Sequence, residues 1–229
     1  TQTAKLMPRL KVNRFRARKP PADVLAFYLR VYNTRDLYFD PESLPPLSPQ
    51  ELFGSAQPVV FDLGCGRGEF LIGQAAEHPD INFVGFDLHW KSLWDAINKS
   101  RRAGLQNVRF VRTDYRRAFA KVPDGSVQAA YLLFPPPIIE PNRQKEDPLP
   151  PETVHDLART LPDGAPFHLV TDHPGFFAAK TALIEETGRF ERVHTSQAFE
   201  GGLTWYQQLW ESLDIQSLRV EYRRRPAGG

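Results

Sequence analysis

From Pro58 onward, short apolar runs alternate with amphipathic stretches, and the run lengths tell strands from helices. Val59–Leu63, Ile81–Phe86, Val108–Val111, Val127–Phe134 and Phe167–Val170 are brief apolar runs bounded by turn signals, as strands buried on both faces require. Between them, Glu69 to Glu77, about Trp90 to Ala103, and Glu152 to Thr160 carry helical spacing, while Pro123-Asp124-Gly125 and Pro162-Asp163-Gly164 supply turns. Regular alternation of strand and helix predicts an α/β fold with a mostly parallel sheet and helices on both faces. The closing part breaks the rhythm. Phe190–His194 and Leu218–Arg223 predict two late strands around a helix near Thr204–Ser212, an antiparallel addition at the sheet edge that brings the expected strand total to about seven. Ahead of this region, residues up to about Pro21 read as a flexible basic arm. Asp23 then caps a short apolar helix, Val24 to Val31, and Leu37 to Gln57 is a proline-rich lead-in. The expected division is therefore residues 1–50 as arm, helix and lead-in, and residues 51–229 as the folded domain.

The first strand ends in Asp62-Leu63-Gly64-Cys65-Gly66-Arg67-Gly68-Glu69-Phe70. Glycines at that point let a ligand lie directly against the turn. A dinucleotide fold spaces them Gly-x-Gly-x-x-Gly to aim a helix at a pyrophosphate. Here the third glycine comes one residue early and an acid closes the strand, which suits a cationic nucleoside without phosphate. S-adenosyl-L-methionine is the candidate. Ligands of open parallel sheets sit beyond the carboxyl ends of the strands, and the first three ends carry Asp62, Asp87 and Asp114. Asp87 is placed to accept two ribose hydroxyls, Asp114 to meet the adenine amino group, and Asp62 to face the methionine ammonium. Singly, each acid is equally a helix cap or turn former; three in succession around a glycine turn point to a cofactor site.

Charge modifies this picture more than composition does. The formal net charge is only +2, yet Lys5, Arg9, Lys11, Arg14, Arg16, Arg18 and Lys19 all precede the first acid, Asp23. Arg101, Arg102, Arg109, Arg112, Arg116 and Arg117 make a second concentration, and Arg223 to Arg225 a third. Clustered cations beside a near-neutral total are the footprint of a polyanion partner. A single cysteine, Cys65, excludes an internal disulfide framework and fits a reducing cytoplasm. The six histidines lack metal-ligand spacing, so no metal is expected, and no apolar run or leading segment suggests a membrane span or signal. Trp90 with Trp94 at helical spacing predicts packing on the sheet, and Pro135-Pro136-Pro137 a stiff rim to the cleft.

In combination these motifs resemble the bacterial tRNA (guanine-N7)-methyltransferases over roughly residues 52 to 225. The likeness rests on the glycine turn and on Asn82-Phe83-Val84-Gly85-Phe86-Asp87. It extends through Gly104-Leu105-Gln106-Asn107-Val108-Arg109, Phe134-Pro135, Thr171-Asp172 and Thr204-Trp205-Tyr206-Gln207. The resemblance implies a Rossmann-like class I methyltransferase with a seven-stranded sheet whose final strand is antiparallel. It also implies S-adenosyl-L-methionine as cofactor, tRNA as partner, a monomer or homodimer, and a cytoplasmic location. Cys65, Leu88, Tyr115 and Phe134 join Asp62, Gly64, Gly66, Gly68, Asp87 and Asp114 as the expected cofactor pocket. Asp172, Thr204 and Gln207, with Arg14 and Arg16 of the arm, are the expected substrate contacts.

The departures fall on the substrate half. Where the family has Phe-Pro-Asp-Pro-Trp-Pro-Lys, this chain has Phe134-Pro135-Pro136-Pro137-Ile138-Ile139-Glu140, and Gln207 stands where the family has Glu. Guanine N7 is an exposed, unprotonated lone pair, so methylating it demands alignment more than a base. The product is a cation, which a nearby carboxylate favours electrostatically. Asp172 is the remaining carboxylate for that role, and it is alternatively a helix cap before His173-Pro174. Three readings stay open on the substrate side: an active tRNA enzyme, a relative that binds RNA without turnover, and a methyltransferase with another acceptor.

Overall fold

The computed structural model describes residues 16–193 and 217–226. Its centre is a run of strands whose apolar residues are buried on both faces. Strand β2 (Val59–Leu63) is buried throughout, and it pairs in parallel with β3 (Asn82–Asp87) on one side and β5 (Val127–Leu133) on the other. β4 (Val108–Arg112) continues the sheet beyond β3, and β6 (Pro166–Thr171) continues it beyond β5, both in parallel. At the far edge, β8 (Leu218–Arg224) runs antiparallel to β6 and to the outermost strand, β7 (Phe190–Val193). The antiparallel final strand expected from the sequence is present.

Among the described residues the sheet has eight strands, in the order β1 (Leu29–Val31), β4, β3, β2, β5, β6, β8, β7, one more than expected. The extra strand comes from the segment read as a helix running to Val31. Helix α1 spans only Ala22–Tyr28, with Asp23 inside its first turn and Pro21 as its cap residue. The chain then extends as β1 (Leu29–Val31) and pairs in parallel with Phe110–Arg112 of β4. The open ladder of β4 outcompetes local helix preference, because an unpaired sheet edge leaves hydrogen-bonding groups to be satisfied. The lead-in is more regular than its prolines suggest: α2 (Thr34–Phe39) and α3 (Pro49–Phe53) form there, and Leu37, Leu47 and Leu52 join the core. Ser48 caps α3 by accepting the Glu51 N–H at 3.2 Å.

Two apolar layers sandwich the sheet. One gathers Phe61, Phe86 and Phe167 beneath α7 (Pro151–Thr160) and α8 (Pro174–Glu186), with the Phe61 and Phe86 rings edge to face at 4.9 Å. The other gathers Leu71, Leu93, Ile97 and Phe110 beneath α4 (Glu69–Glu77), α5 (Trp90–Arg102) and α1. Truncating a wholly buried ring such as Phe61 to alanine commonly costs about 3–5 kcal/mol. With helices on both faces, only the strand ends remain for chemistry. No helix among the described residues is long and apolar enough to cross a membrane.

Candidate active site

The carboxyl ends of β2 to β6 surround a cleft of about 920 Å³. That is the size of a pocket for a drug- or cofactor-sized ligand. On its floor the glycine turn is held from outside the loop. The Gly64 and Cys65 N–H groups donate to the Phe86 carbonyl at 2.9 and 2.8 Å, and the Gly66 N–H donates to Asp87 Oδ2 at 3.0 Å. All three glycines have positive φ, which L side chains rarely adopt. Gly64 and Gly66 line the cleft; Gly68 does not. At Gly68 a Cβ would lie 3.0 Å from Ala96 and 3.2 Å from Ile72, so that glycine serves the packing of α4 on α5. Cys65 fits against Gly85, where an added Cβ would come within 2.7 Å of the sulfur. Burial, reinforced by Asp62, pushes its thiol well above the ordinary range, so it is no nucleophile.

The three strand-end acids differ in what already holds them. Asp62 is 2 % exposed and, among the described residues, its carboxyl has no hydrogen-bond or ion-pair partner. Burial first, then the charges of Asp87 and Glu69, push it up to about 8. A buried carboxyl beside two others and no cation is half of a pair. Asp87 anchors the turn through Oδ2 and accepts the His89 N–H at 2.7 Å through Oδ1, raising the His89 imidazole through a further 3.1 Å contact. Asp114 caps α6 (Tyr115–Ala118) and meets Arg116 in a two-pronged ion pair at 2.9 and 2.6 Å. Thus the capping reading of Asp114 holds, and the residue lines the cleft as well. Leu88, Tyr115 and Phe134 also line it. Phe134 has φ +50°, a left-handed backbone costly for an aromatic residue and common at functional sites.

The side expected to take the acceptor, at the ends of β5 and β6, is lined by Pro135–Pro137, Asp172 and His173. His173, not Asp172, caps α8: its Nδ1 accepts the Phe176 N–H at 3.1 Å. Asp172 is therefore released from the capping role, and among the described residues its carboxylate makes no hydrogen bond or ion pair. Glu140, the reversed charge, does not line the cleft; it is exposed, and its Oε2 accepts the Ile139 N–H at 3.3 Å. The loop between them is strutted from three directions. Arg116 donates to the carbonyls of Lys145 and Asp147 at 2.9 and 2.8 Å, the Tyr115 hydroxyl donates to the Pro148 carbonyl at 2.5 Å, and Lys180 pairs with Asp147.

Of the remaining expected contacts, Arg16 is exposed and away from the cleft, while Arg14, Thr204 and Gln207 lie outside the described residues. The second arginine concentration divides. Arg101, Arg102 and Arg117 are exposed, but Arg116 is spent on Asp114, Arg109 is buried over the Phe27 ring, and Arg112 stacks on Trp90 at 4.4 Å. Trp90, expected to pack on the sheet, is instead 40 % exposed beneath that guanidinium. Arg223 and Arg224 pair with Glu221 and Asp163. Among the cleft residues that sequence reasoning did not assign to the site are Thr113 and His173. Thr113 is 2 % exposed with a hydroxyl that lacks a partner among the described residues, and His173 caps a helix with a side chain not usual for that role.

A parallel sheet with an antiparallel final strand, a glycine turn and a buried, unpaired carboxyl at the strand ends define a Rossmann-like methyltransferase. The fold is shared with the 16S rRNA methyltransferase KamB (TM-score 0.58, 16 % identity, 77 % of this chain and 94 % of that one). It is shared too with a 16S rRNA (adenine(1408)-N(1))-methyltransferase from Catenulisporales acidiphilia solved with its cosubstrate SAM (TM-score 0.54, 15 % identity, 80 % and 94 %). A family model described as "Putative methyltransferase" matches residues 56–217. A tRNA (guanine-N(7)-)-methyltransferase of Rubrobacter xylanophilus is 36 % identical over 95 % of this chain and 100 % of its own. One of Chloroflexus aurantiacus is 36 % identical over 72 % of this chain and 74 % of its own. The chain belongs to the family of the tRNA (guanine-N(7)-)-methyltransferases. Its cofactor is S-adenosyl-L-methionine, and the residues fit that group: the unpaired Asp62 calls for a cation, and the bare turn leaves room for a ligand against the backbone.

Proposed function

We propose that this enzyme methylates N7 of a guanine in tRNA, with the variable-loop guanine as the position modified. The end-to-end likeness to the Rubrobacter xylanophilus enzyme carries this reading. S-adenosyl-L-methionine supplies an electrophilic methyl group on a sulfonium. In this reading Asp62 pairs with the cofactor's ammonium, Asp87 meets the ribose hydroxyls, and Leu88, Asp114 and Tyr115 frame the adenine. Asp172 stands at the acceptor end as a carboxylate free to face the cation that forms on the purine. The Ser-His and Cys-His arrangements of acyl transfer have no place here, since N7 needs no deprotonation.

The tRNA is held by charge. The Arg18 carbonyl accepts a hydrogen bond from Asn98 Nδ2 at 2.8 Å, which lays the start of the described chain along α5. In this reading the exposed Arg16, Arg18 and Lys19 act with Arg101 and Arg102, also exposed and three and four residues beyond Asn98, as a basic surface for a phosphate backbone. Incubation with labelled cofactor and total tRNA, followed by nucleoside mass spectrometry, should yield 7-methylguanosine. Label in any other nucleoside, or in none, overturns the acceptor assignment.

A further inference from the structure

We propose that His173 reads O6 of the acceptor guanine and so sets guanine over adenine, an inference that rests on the guanine-N7 reading above. One hydrogen bond fixes the imidazole and a second fixes its backbone. Its Nδ1 accepts the Phe176 N–H at 3.1 Å, and the His173 N–H donates to Thr171 Oγ1 at 3.2 Å. Below the ring, a Cβ on Gly175 would sit 3.2 Å from Cε1, so a glycine keeps that place open. The first of these contacts fixes more than position. A nitrogen that accepts a backbone N–H keeps its lone pair there, so the neutral ring carries its proton on Nε2. The polar group left on the neutral ring is therefore a donor and not an acceptor. Among the described residues Nε2 has no partner, and the residue lines the cleft between Asp172 and Pro174, on the acceptor side.

Purine chemistry supplies the match. A purine that turns N7 toward the methyl donor exposes position 6 on the same edge. Guanine presents an acceptor there, O6, whereas adenine presents an amino donor. A fixed Nε2–H bonds the first and opposes the second. The neighbouring Asp172 carboxylate, an acceptor, has the complementary task of favouring the methylated cation. One residue then selects the base and the next assists the reaction.

The test uses the full-length enzyme and tRNA carrying guanine, inosine or 2-aminopurine at the modified position. Inosine keeps N7 and O6; 2-aminopurine keeps N7 and lacks O6. Wild type should methylate guanine and inosine alike, and 2-aminopurine with kcat/KM about 10- to 100-fold lower. His173→Asn retains a strong helix cap but is too short to reach the base. It should lower kcat/KM on guanine by a similar factor, leave 2-aminopurine unchanged, and leave the melting temperature and S-adenosylhomocysteine affinity as they were. Equal losses on both bases would mark a structural role and overturn the inference, as would wild type accepting 2-aminopurine as readily as guanine. Either result leaves 7-methylguanosine formation intact. Absence of 7-methylguanosine from wild type is a different failure, which removes the acceptor reading and this inference together.

Discussion

The two halves of the cleft are made of different materials. The donor half, at the ends of β2, β3 and β4, is a backbone turn ringed by carboxylates, and its key acid, Asp62, is buried without a cation among the described residues. The acceptor half, at the ends of β5 and β6, is a proline rim and a loop strutted by hydrogen bonds and one ion pair that reach across the chain. Arg116 bonds the carbonyl of Asp147, 31 residues away, and Lys180 pairs with the same residue's carboxylate from 33 residues away. The donor half is thus preorganised by the end of the adjacent strand β3, and in the reading proposed above a cationic ligand completes its charge. The acceptor half takes its shape from distant partners, while the Asp172 carboxylate and His173 Nε2 stand without partners among the described residues. The first design tunes binding; the second tunes stability and shape.

The largest effect should come from the acceptor strut. Lys180 is 7 % exposed and paired with the half-buried Asp147, whose Oδ1 keeps the Leu149 N–H, so Lys180→Met breaks a partly buried ion pair at a cost of about 3 kcal/mol, the low end for such pairs. Urea unfolding measures it, and cofactor affinity should stay unchanged. A parallel loss of cofactor affinity would break the separation of the halves. Next comes Asp62→Asn, expected to weaken S-adenosylhomocysteine binding about 100-fold, as losing one partner of a desolvated charge pair does, while tRNA affinity holds. Its pH signature has a definite sign. The Asp62 carboxyl rises from an ordinary 3.8 to about 8 on folding, so its contribution to stability is complete below pH 3.8 and lost as pH climbs through 8. Ligand-free wild type should therefore become less stable across that window, and the Asn variant should show a shallower fall. Cofactor affinity should move oppositely, weakening as pH drops below 8 by up to about tenfold per unit, since pairing with a cation first expels the proton. An affinity that is flat from pH 6 to 8 would sink the ammonium assignment.

The same contrast governs what could be read from the sequence. The strands from Val59 to Thr171 and the helices α4, α5 and α7 were legible to within about two residues, because period and turn chemistry are local signals. That Asp62, Gly64, Gly66 and Asp87 gather at the cleft was legible for the same reason: strand, turn and helix follow one another. Strand β1 was not, since Leu29–Val31 owes its extension to a partner 81 residues downstream, Phe110–Arg112. Nor was the fate of the arginines. Whether Arg109 meets phosphate or stacks over Phe27 is decided by tertiary packing that charge counting does not see. On the acceptor side, the sequence left Asp172 divided between cap and carboxylate, and one hydrogen bond from Phe176 to His173 settled the capping role.

Arg116 is where the halves touch, and it offers a smaller, sharper test. One guanidinium grips Asp114 on the donor side and two loop carbonyls on the acceptor side. Arg116→Ala should destabilise the chain by about 1.5–3 kcal/mol, the range for hydrogen bonds to charged groups. It should also raise KM for both substrates, and it should quicken amide exchange over residues 141–148. Changes confined to one substrate would show that the residue braces a single half.

The smallest effect expected concerns neither half but the surface that delivers tRNA to them. Residues 1–15 carry Lys5, Arg9, Lys11 and Arg14 and no acid. The chain that follows them is pinned to α5 through Arg18 and Asn98, and Pro20 is buried, so removing residues 1–15 should spare the fold. If these cations reach phosphates, their removal should weaken tRNA binding about tenfold at physiological salt. It should also flatten the log–log salt dependence by roughly 0.7–0.9 for each phosphate no longer neutralised. The salt slope is the decisive readout, because a change in folding or in base recognition alters affinity without altering the number of counterions released. Cofactor affinity should not move at all. An unchanged slope after truncation would place the phosphate-binding cations on the α5 surface alone, with Arg16, Arg18, Lys19, Arg101 and Arg102 as the residues to remove next.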